Sequence, residues 1–361
     1  MRSRRTVAEL SRFKLACGGS RGYHTRAEEG CIGGTVGSRL RITLACGDYD
    51  RTHALADGSV MPEGAEINFI PLEPGEIFWR QLRHEEFDVS ELSLSAYLLG
   101  LARGENRFVA IPVFPLRLFR HSFIWVNTES AIKEPQDLAG KRIGIPEYHM
   151  TAMLFIRGML KHDYGVSHED VKWFRTRIER VELNLPPSMH LVDLGGERPL
   201  GRLLEQGELD AIAGTRPPRG VEGGGGHIRR LFPDPRAVEL DYFRRTGIFP
   251  IMHVVAMRRE LYERNRWLAE SLAKAFELAK QRAYERMRIT SNVYSLPWLH
   301  LEMEELRQTF NGDPYAYGVE SSRATLEAAA LYSYEQGLGE RQVAIEEMFA
   351  PETLDVFAEA Q

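Results

Sequence analysis

Only three cysteines occur in the 361 residues, Cys17, Cys31 and Cys46. None forms a C-x-x-C pair, so neither a disulfide framework nor a thiolate zinc site is suggested, and a reducing compartment fits. No stretch approaches the ~18 uninterrupted apolar residues of a membrane-spanning helix. Basic charge is not in excess: 46 Lys and Arg against 51 Asp and Glu give a net charge of −5. That argues against a nucleic-acid binder, which carries a clustered basic excess. Histidines at H-x-H or H-E-x-x-H spacing are absent, so no metal is expected from local spacing. The glycine run at 223–226 lacks a following Lys-Ser/Thr and is no phosphate loop. Gly144 and Gly158 do not complete a dinucleotide fingerprint.

What is present is ordinary globular sequence. Hydrophobic residues make up 43% and charged residues 27%, which excludes an intrinsically disordered chain. At ~100–200 residues per domain the length fits two domains. Residues 1–38 are basic and rich in Gly and Ser, without apolar periodicity. They lack the ~7–15-residue apolar core of a secretory signal. Leu15-Ala16-Cys17 superficially suggests a lipoprotein cleavage site, but Lys14 stands where an apolar residue is expected. The expectation is a disordered extension, or a true start near Val36, with folded sequence from Leu40 and a cytoplasmic location.

Apolar, β-branched runs at 40–46, 66–72, 87–92, 108–115 and 122–127 read as strands, and 74–84 and 96–103 have helical spacing. Ser93 or Ser95 is placed to cap the second of these helices. A second alternation follows: strands at 141–146, 171–175 and 209–213, and helices at 152–164 and 200–206. Then comes a long apolar strand at 247–257, and helices at 265–288, 299–310 and 321–336. Strand–helix alternation predicts an α/β fold with parallel sheet. The late strand suggests a return to the first half.

This order resembles the two-lobed type II periplasmic-binding-protein fold with two hinge crossings. Within that fold the chain resembles the 4,5-dihydroxyphthalate decarboxylase family. The matching segments are ACGDYDRTHALADG (45–58), FDVSELSLSAYL (87–98), AIPVFPLRLFRHSFIWVN (110–127), DLAGKRIGIPEYHMTA (137–152), IRRLFPD (228–234), RRTGIFPIMHVV (244–255) and MFAPETL (348–354). DLAGKRIG is shared by many solute-binding proteins, whereas ACGDYDRT, FPLRLFRHS and TGIFPIMH are more specific. The resemblance implies lobes built from 39–122 plus 250–361 and from 123–249. It also implies loss of CO2 from a dihydroxylated aromatic dicarboxylate without an organic cofactor. The partner implied is a small anionic aromatic substrate, with no nucleic acid and no membrane; a homo-oligomer stays open.

Ligands of open α/β sheets bind beyond the carboxyl ends of strands, so the loops there supply the candidates. Arg51, Arg117, Arg120 and Arg216 are cations able to hold carboxylates. Ser93, Ser95 and Thr151 stand at helix starts, where free N–H groups favour anions. Asp48, Tyr49 and Tyr148 are further substrate-side groups, although Asp48 could simply shape its turn. His121, Glu147 and His253 are the candidate proton donors, with His121 preferred for its hinge position. In an extended chain Arg117 and His121 share one face and Arg120 the other, so only one of the two arginines reaches the cleft. The charges at 177–180 read as a solvated run. The alternatives are a non-catalytic receptor for an aromatic acid and an enzyme for a pyrimidine or thiamin-precursor ligand. The latter needs Cys or His donors gathered in the cleft. A divalent ion is the competing route to decarboxylation.

Overall fold

A computed structural model describes residues 39–196, 198–218, 226–289 and 294–358. The expectations for 1–38, and for most of the glycine-rich loop before His227, lie outside these residues.

The first lobe opens with β1 (Leu40–Cys46), α1 (His53–Ala56) and β2 (Ala65–Pro71). β2 lies parallel to β1 over its whole length, Leu40 opposite Ala65 and Cys46 opposite Pro71. Next come α2 (Pro74–His84), β3 (Val89–Ser93), α3 (Leu94–Ala102) and β4 (Phe108–Ile111). Every residue of β3 is buried, as a central strand covered on both faces requires.

The second lobe contains β5 (Ile124–Asn127), β6 (Arg142–Ile145), α4 (Thr151–Tyr164), β7 (Lys172–Arg175), β8 (Leu191–Asp193), α5 (Leu200–Glu205), β9 (Ala211–Ala213), β10 (Ile228–Arg230) and α6 (Pro235–Thr246). Its sheet has the order β10-β5-β9-β6-β7-β8. The chain then returns as β11 (His253–Arg258), antiparallel to both β3 and β4. This completes the first sheet, β2-β1-β3-β11-β4. α7 (Arg259–Arg264), α8 (Trp267–Arg288), α9 (Leu299–Thr309), α10 (Arg323–Glu335) and α11 (Ile345–Met348) follow. Among the described residues no helix is long and apolar enough to cross a membrane.

The expected strand at 247–257 is divided by the hinge. Its first part pairs with the other crossing: Leu118 N–H donates to the Pro250 carbonyl at 3.0 Å, and Met252 N–H to the Leu116 carbonyl at 2.8 Å. Sheet pairing starts only at His253. The strand expected at 108–115 likewise ends at Ile111, where Pro112 and Pro115 withhold N–H donors. β8, β10, α6, α7 and α11 were not expected. α6 nonetheless carries readable signals: the Asp234 carboxylate accepts from Ala237 N–H, Pro235 opens the helix, and Gly247 ends it at φ 68°.

α4 of the second lobe packs on α10 through Gly158. A Cβ there would stand 2.1 Å from the Tyr332 ring, so the helices meet only because the side chain is missing. Gly158→Ala is expected to destabilise the fold by about 1–3 kcal/mol, despite alanine's better helix propensity. Chemical denaturation measures this; an unchanged or raised midpoint contradicts it.

Candidate active site

A small cavity of about 50 Å³ lies between the lobes. Ser93, Arg120, His149, Thr151, Arg180 and His253 supply its polar wall, and Phe78, Leu82 and Met252 its apolar wall. The polar groups come from the end of β3, the two crossings, the start of α4 and the segment after β7, as the strand-end rule requires.

Beneath His253 lies Glu91, a fully buried carboxylate in the middle of β3. It accepts from Gly47 N–H and from the Tyr49 hydroxyl, both at 2.8 Å, and from His253 Nδ1. Burial alone would raise its pKa. The charge and hydrogen bond of His253, with the Gly47 and Tyr49 donors, instead hold it below the usual carboxylate range. An ionised carboxylate only accepts, so the Nδ1 of His253 carries the proton and Nε2 is the nitrogen left for the cavity. The ring is braced edge-on by Phe78, with centroids 4.9 Å apart.

The second lobe repeats the device. His149 Nδ1 lies 2.5 Å from a Glu179 oxygen, and the same carboxylate accepts the backbone N–H groups of Tyr148 and His149. Burial opposes ionisation of Glu179, yet His149 and these N–H donors keep its pKa depressed. Each lobe thus presents one carboxylate-held imidazole to the same cavity. Glu91, Glu179 and His149 were not among the sequence candidates. A glutamate inside the buried run FDVSEL was the one readable signal.

The hydroxyls join the lobes. Ser93 Oγ lies 2.9 Å from Thr151 Oγ1 and 3.1 Å from Ser95 Oγ, and Ser95 N–H donates to Thr151 Oγ1 at 3.1 Å. Ser93 occupies the N-cap position of α3 without bonding that helix's own N–H groups. The starts of α3 and α4 therefore face one another, two positive dipole ends at one place. Beside them Arg120 is only 4% exposed. Its Nε and Nη2 meet only the Met252 sulfur, and Nη1 has no partner. Desolvation lowers its pKa to about 9, against a weak opposing pull from Glu239. A buried guanidinium without a carboxylate is costly, and an anion in the cavity would relieve it.

Glu147 is buried just behind the wall. Burial, aided by the Glu179 charge, pushes its pKa up against Arg180 and His149. Its Oε1 lies 3.3 Å from Arg180, and Oε2 has no hydrogen-bond partner. Arg180 therefore belongs to the cavity, not to a solvated charge run.

Six candidates lie elsewhere. His121, the preferred proton donor, sits among Tyr164, Phe232 and Tyr242 with both ring nitrogens unpartnered. Burial, helped by Arg245, lowers its pKa to about 4. The preference for His121 as proton donor is thereby corrected: it lies with Arg117 on the side of the crossing away from the cavity, and residues 121–123 form a helical turn rather than extended chain. Arg117 donates to the Ala316 carbonyl and Ser322 Oγ, on the wall of a separate cavity of about 630 Å³. Arg51 donates to the Pro115 carbonyl and stacks on Tyr49 and Tyr315. Tyr148 points into the core, donating to the Gln336 carbonyl at 3.3 Å under the Arg157 guanidinium. Arg216 is exposed and pairs with Glu73 across the lobes at 3.0 Å. Asp48 is exposed.

In class this is a two-lobed α/β protein with an anion-receptive cavity at its hinge and a glutamate-held histidine on each side. The chain is 36% identical over 327 residues to a 4,5-dihydroxyphthalate decarboxylase of Comamonas testosteroni, covering 89% of this chain and 99% of that protein. It is 37% identical over 213 residues to a 4,5-dihydroxyphthalate decarboxylase of Pseudomonas putida, covering 57% and 83%. The chain belongs to the 4,5-dihydroxyphthalate decarboxylase family. A family model described as NMT1/THI5 like matches residues 117–182. In fold it is similar to the periplasmic aliphatic sulphonate-binding protein SsuA of Escherichia coli, with a TM-score of 0.51 at 15% identity over 88% of this chain and 99% of that one.

The displacement of His121 has a measurable consequence. Its folded pKa of about 4 lies below the ordinary ~6.5. Between those values the unfolded chain binds the proton and the folded chain refuses it, so stability falls as pH drops from ~6.5 towards 4. His121→Phe is expected to remove that component and to leave turnover within about twofold. Denaturation midpoints at pH 7 and 5 measure the first effect. A collapse of turnover would return His121 to the chemistry.

Proposed function

We propose that this protein removes one carboxylate of 4,5-dihydroxyphthalate as CO2 and releases 3,4-dihydroxybenzoate. The observation that carries the reading is the pair of glutamate-held histidines facing one cavity from opposite lobes. The family's curated relatives bear the name of this activity.

The substrate demands two proton transfers. One imidazole takes the proton of the ring hydroxyl para to the leaving carboxylate. The other, protonated, delivers its proton to the ring carbon that bears that carboxylate. The resulting quinoid has a tetrahedral carbon and a carbonyl in place of the hydroxyl. Cleavage of the C–CO2 bond sends its electron pair back into the ring, restores aromaticity and leaves the oxygen as phenolate. The first imidazolium then reprotonates it. Glu91 and Glu179 stay ionised, fix each ring and stabilise each imidazolium. Arg120 and the starts of α3 and α4 hold the carboxylate that is retained.

A non-catalytic receptor would use the same Arg120 and helix ends, but would give the two held imidazoles no task. Incubation with 4,5-dihydroxyphthalate, with CO2 and product measured, separates the two readings; tight binding without CO2 release supports the receptor. His253→Asn and His149→Asn are each expected to lower kcat by about 10²-fold or more, and Arg120→Met to raise KM by roughly 10–150-fold. In D2O, the histidine that protonates carbon is the one whose loss also stops deuterium exchange at the product's ring carbon.

A further inference from the structure

The reaction cavity, at about 50 Å³, is far smaller than the ~300–1,000 Å³ of ordinary ligand pockets. A second pocket of about 220 Å³ lies against it, between α3 and residues 180–182. Leu82 and Arg180 belong to the walls of both, so these two side chains are the partition. Beyond it the second pocket carries Arg103 and Arg107 together with Glu105 and Glu182; Arg107 stands 3.5 Å from both Glu85 and Glu105, and Arg103 donates to the Glu182 carbonyl.

Arg180 is built to move. It is a single long side chain across the opening, tied at 3.3 Å to one oxygen of Glu147. Glu147 Oε2 makes no hydrogen bond and stands 3.9 Å from His149 Nε2, and Arg177 approaches Oε1 only at 3.9 Å, so Arg180 is held through one oxygen rather than by a bidentate clamp. An incoming carboxylate competes directly for the guanidinium. The pocket floor gives an independent sign. Gly100 lies within α3, a costly place for glycine, and packing does not demand it. A Cβ there would meet nothing closer than 3.8 Å. The missing side chain keeps the pocket open.

We propose that this second pocket is an antechamber for the aromatic dicarboxylate, and that Arg180 admits the substrate by exchanging Glu147 for the incoming carboxylate and re-pairing once it has passed. The inference rests on the decarboxylase reading for its ligand, but its mechanics apply to any aromatic dicarboxylate. Arg103, whose guanidinium is tied only to a backbone carbonyl, meets the dianion first, Leu82 and Arg180 yield, and the returning Arg180 closes the cavity against water.

The test uses the full chain, with phthalate as an unreactive probe and 4,5-dihydroxyphthalate as substrate. Gly100→Phe fills the antechamber at a residue outside the reaction cavity's lining, and, unlike Gly158, Gly100 has room for a Cβ, with nothing closer than 3.8 Å. It is expected to slow phthalate association and dissociation alike, by roughly tenfold, leaving the equilibrium Kd unchanged. With substrate, kcat/KM falls and kcat holds. Arg180→Gln is expected to slow phthalate association and flatten its dependence on ionic strength. Wild-type association rates and kcat/KM in Gly100→Phe would overturn the proposal. So would a change in Kd without a change in rate, which marks a binding subsite rather than a passage. Phthalate binding without CO2 release from 4,5-dihydroxyphthalate defeats the decarboxylase reading alone, and the association rates still decide the antechamber. Failure of the wild type to bind phthalate defeats both.

Discussion

A carboxylate with no exposure to solvent organises the first lobe. Glu91 is ionised inside a sheet where charge is expensive, and it survives because three separate segments answer it. Gly47 N–H comes from the end of β1, the Tyr49 hydroxyl from the following turn, and His253 from the start of β11. None of these donors is adjacent to Glu91 in sequence. The charge therefore fixes how the returning strand sits beside β3, and orients the imidazole that the cavity uses. Removing it would leave a buried hydroxyl and N–H unanswered and the ring free to turn, so a structural cost and a chemical one would arrive together.

Glu179 meets the same problem in the other lobe. It too takes backbone N–H groups and an imidazole Nδ1 from the segment leading into α4. Between the two devices the lobes touch through Ser93, Ser95 and Thr151, hydroxyls that can donate or accept. A contact of that kind tolerates separation and re-formation. Hydroxyls freed from one another can turn to a ligand or to water, whereas a dry apolar seam would resist opening. The hinge is different: its two crossings are tied to each other by antiparallel backbone bonds rather than by side-chain hydroxyls.

Much of this was legible in the sequence for a physical reason. Strand–helix alternation and the family-specific segments announce the fold, and serines and a threonine at helix starts announce the anion-receptive ends. Arg120 and His253 were legible as chemistry-bearing groups beside the crossings. The rest depends on direction. Arg117, Arg120 and His121 lie within five positions, yet backbone direction sends one of them to the cavity and two away. Tyr148 and His149 are neighbours and likewise diverge. Glu91 was hidden because a carboxylate in an apolar strand breaks the pattern that identifies the strand, and Glu179 because it stands among arginines that resemble a solvated run. Two histidines do gather in the cleft, although nothing in their spacing along the chain links them.

The composition of the cavity wall also bears on which carboxylate is lost. Decarboxylation turns an anion into neutral CO2, so a cation paired with the leaving group would stabilise the ground state more than the transition state and slow the step. Holding both carboxylates of the substrate on arginines would therefore be counterproductive. The structure offers an asymmetric alternative. Of the two guanidiniums on the wall, Arg120 keeps a free nitrogen beside the two helix ends and can serve one carboxylate, whereas Arg180 is already paired with Glu147, and Phe78, Leu82 and Met252 supply apolar surface. A carboxylate pressed against those side chains gains by losing its charge. In the proposed reaction the retained carboxylate would anchor the ring, the apolar surface would receive CO2, and the two imidazoles would handle the protons. Binding an anion and destroying one thus use different parts of the same small cavity.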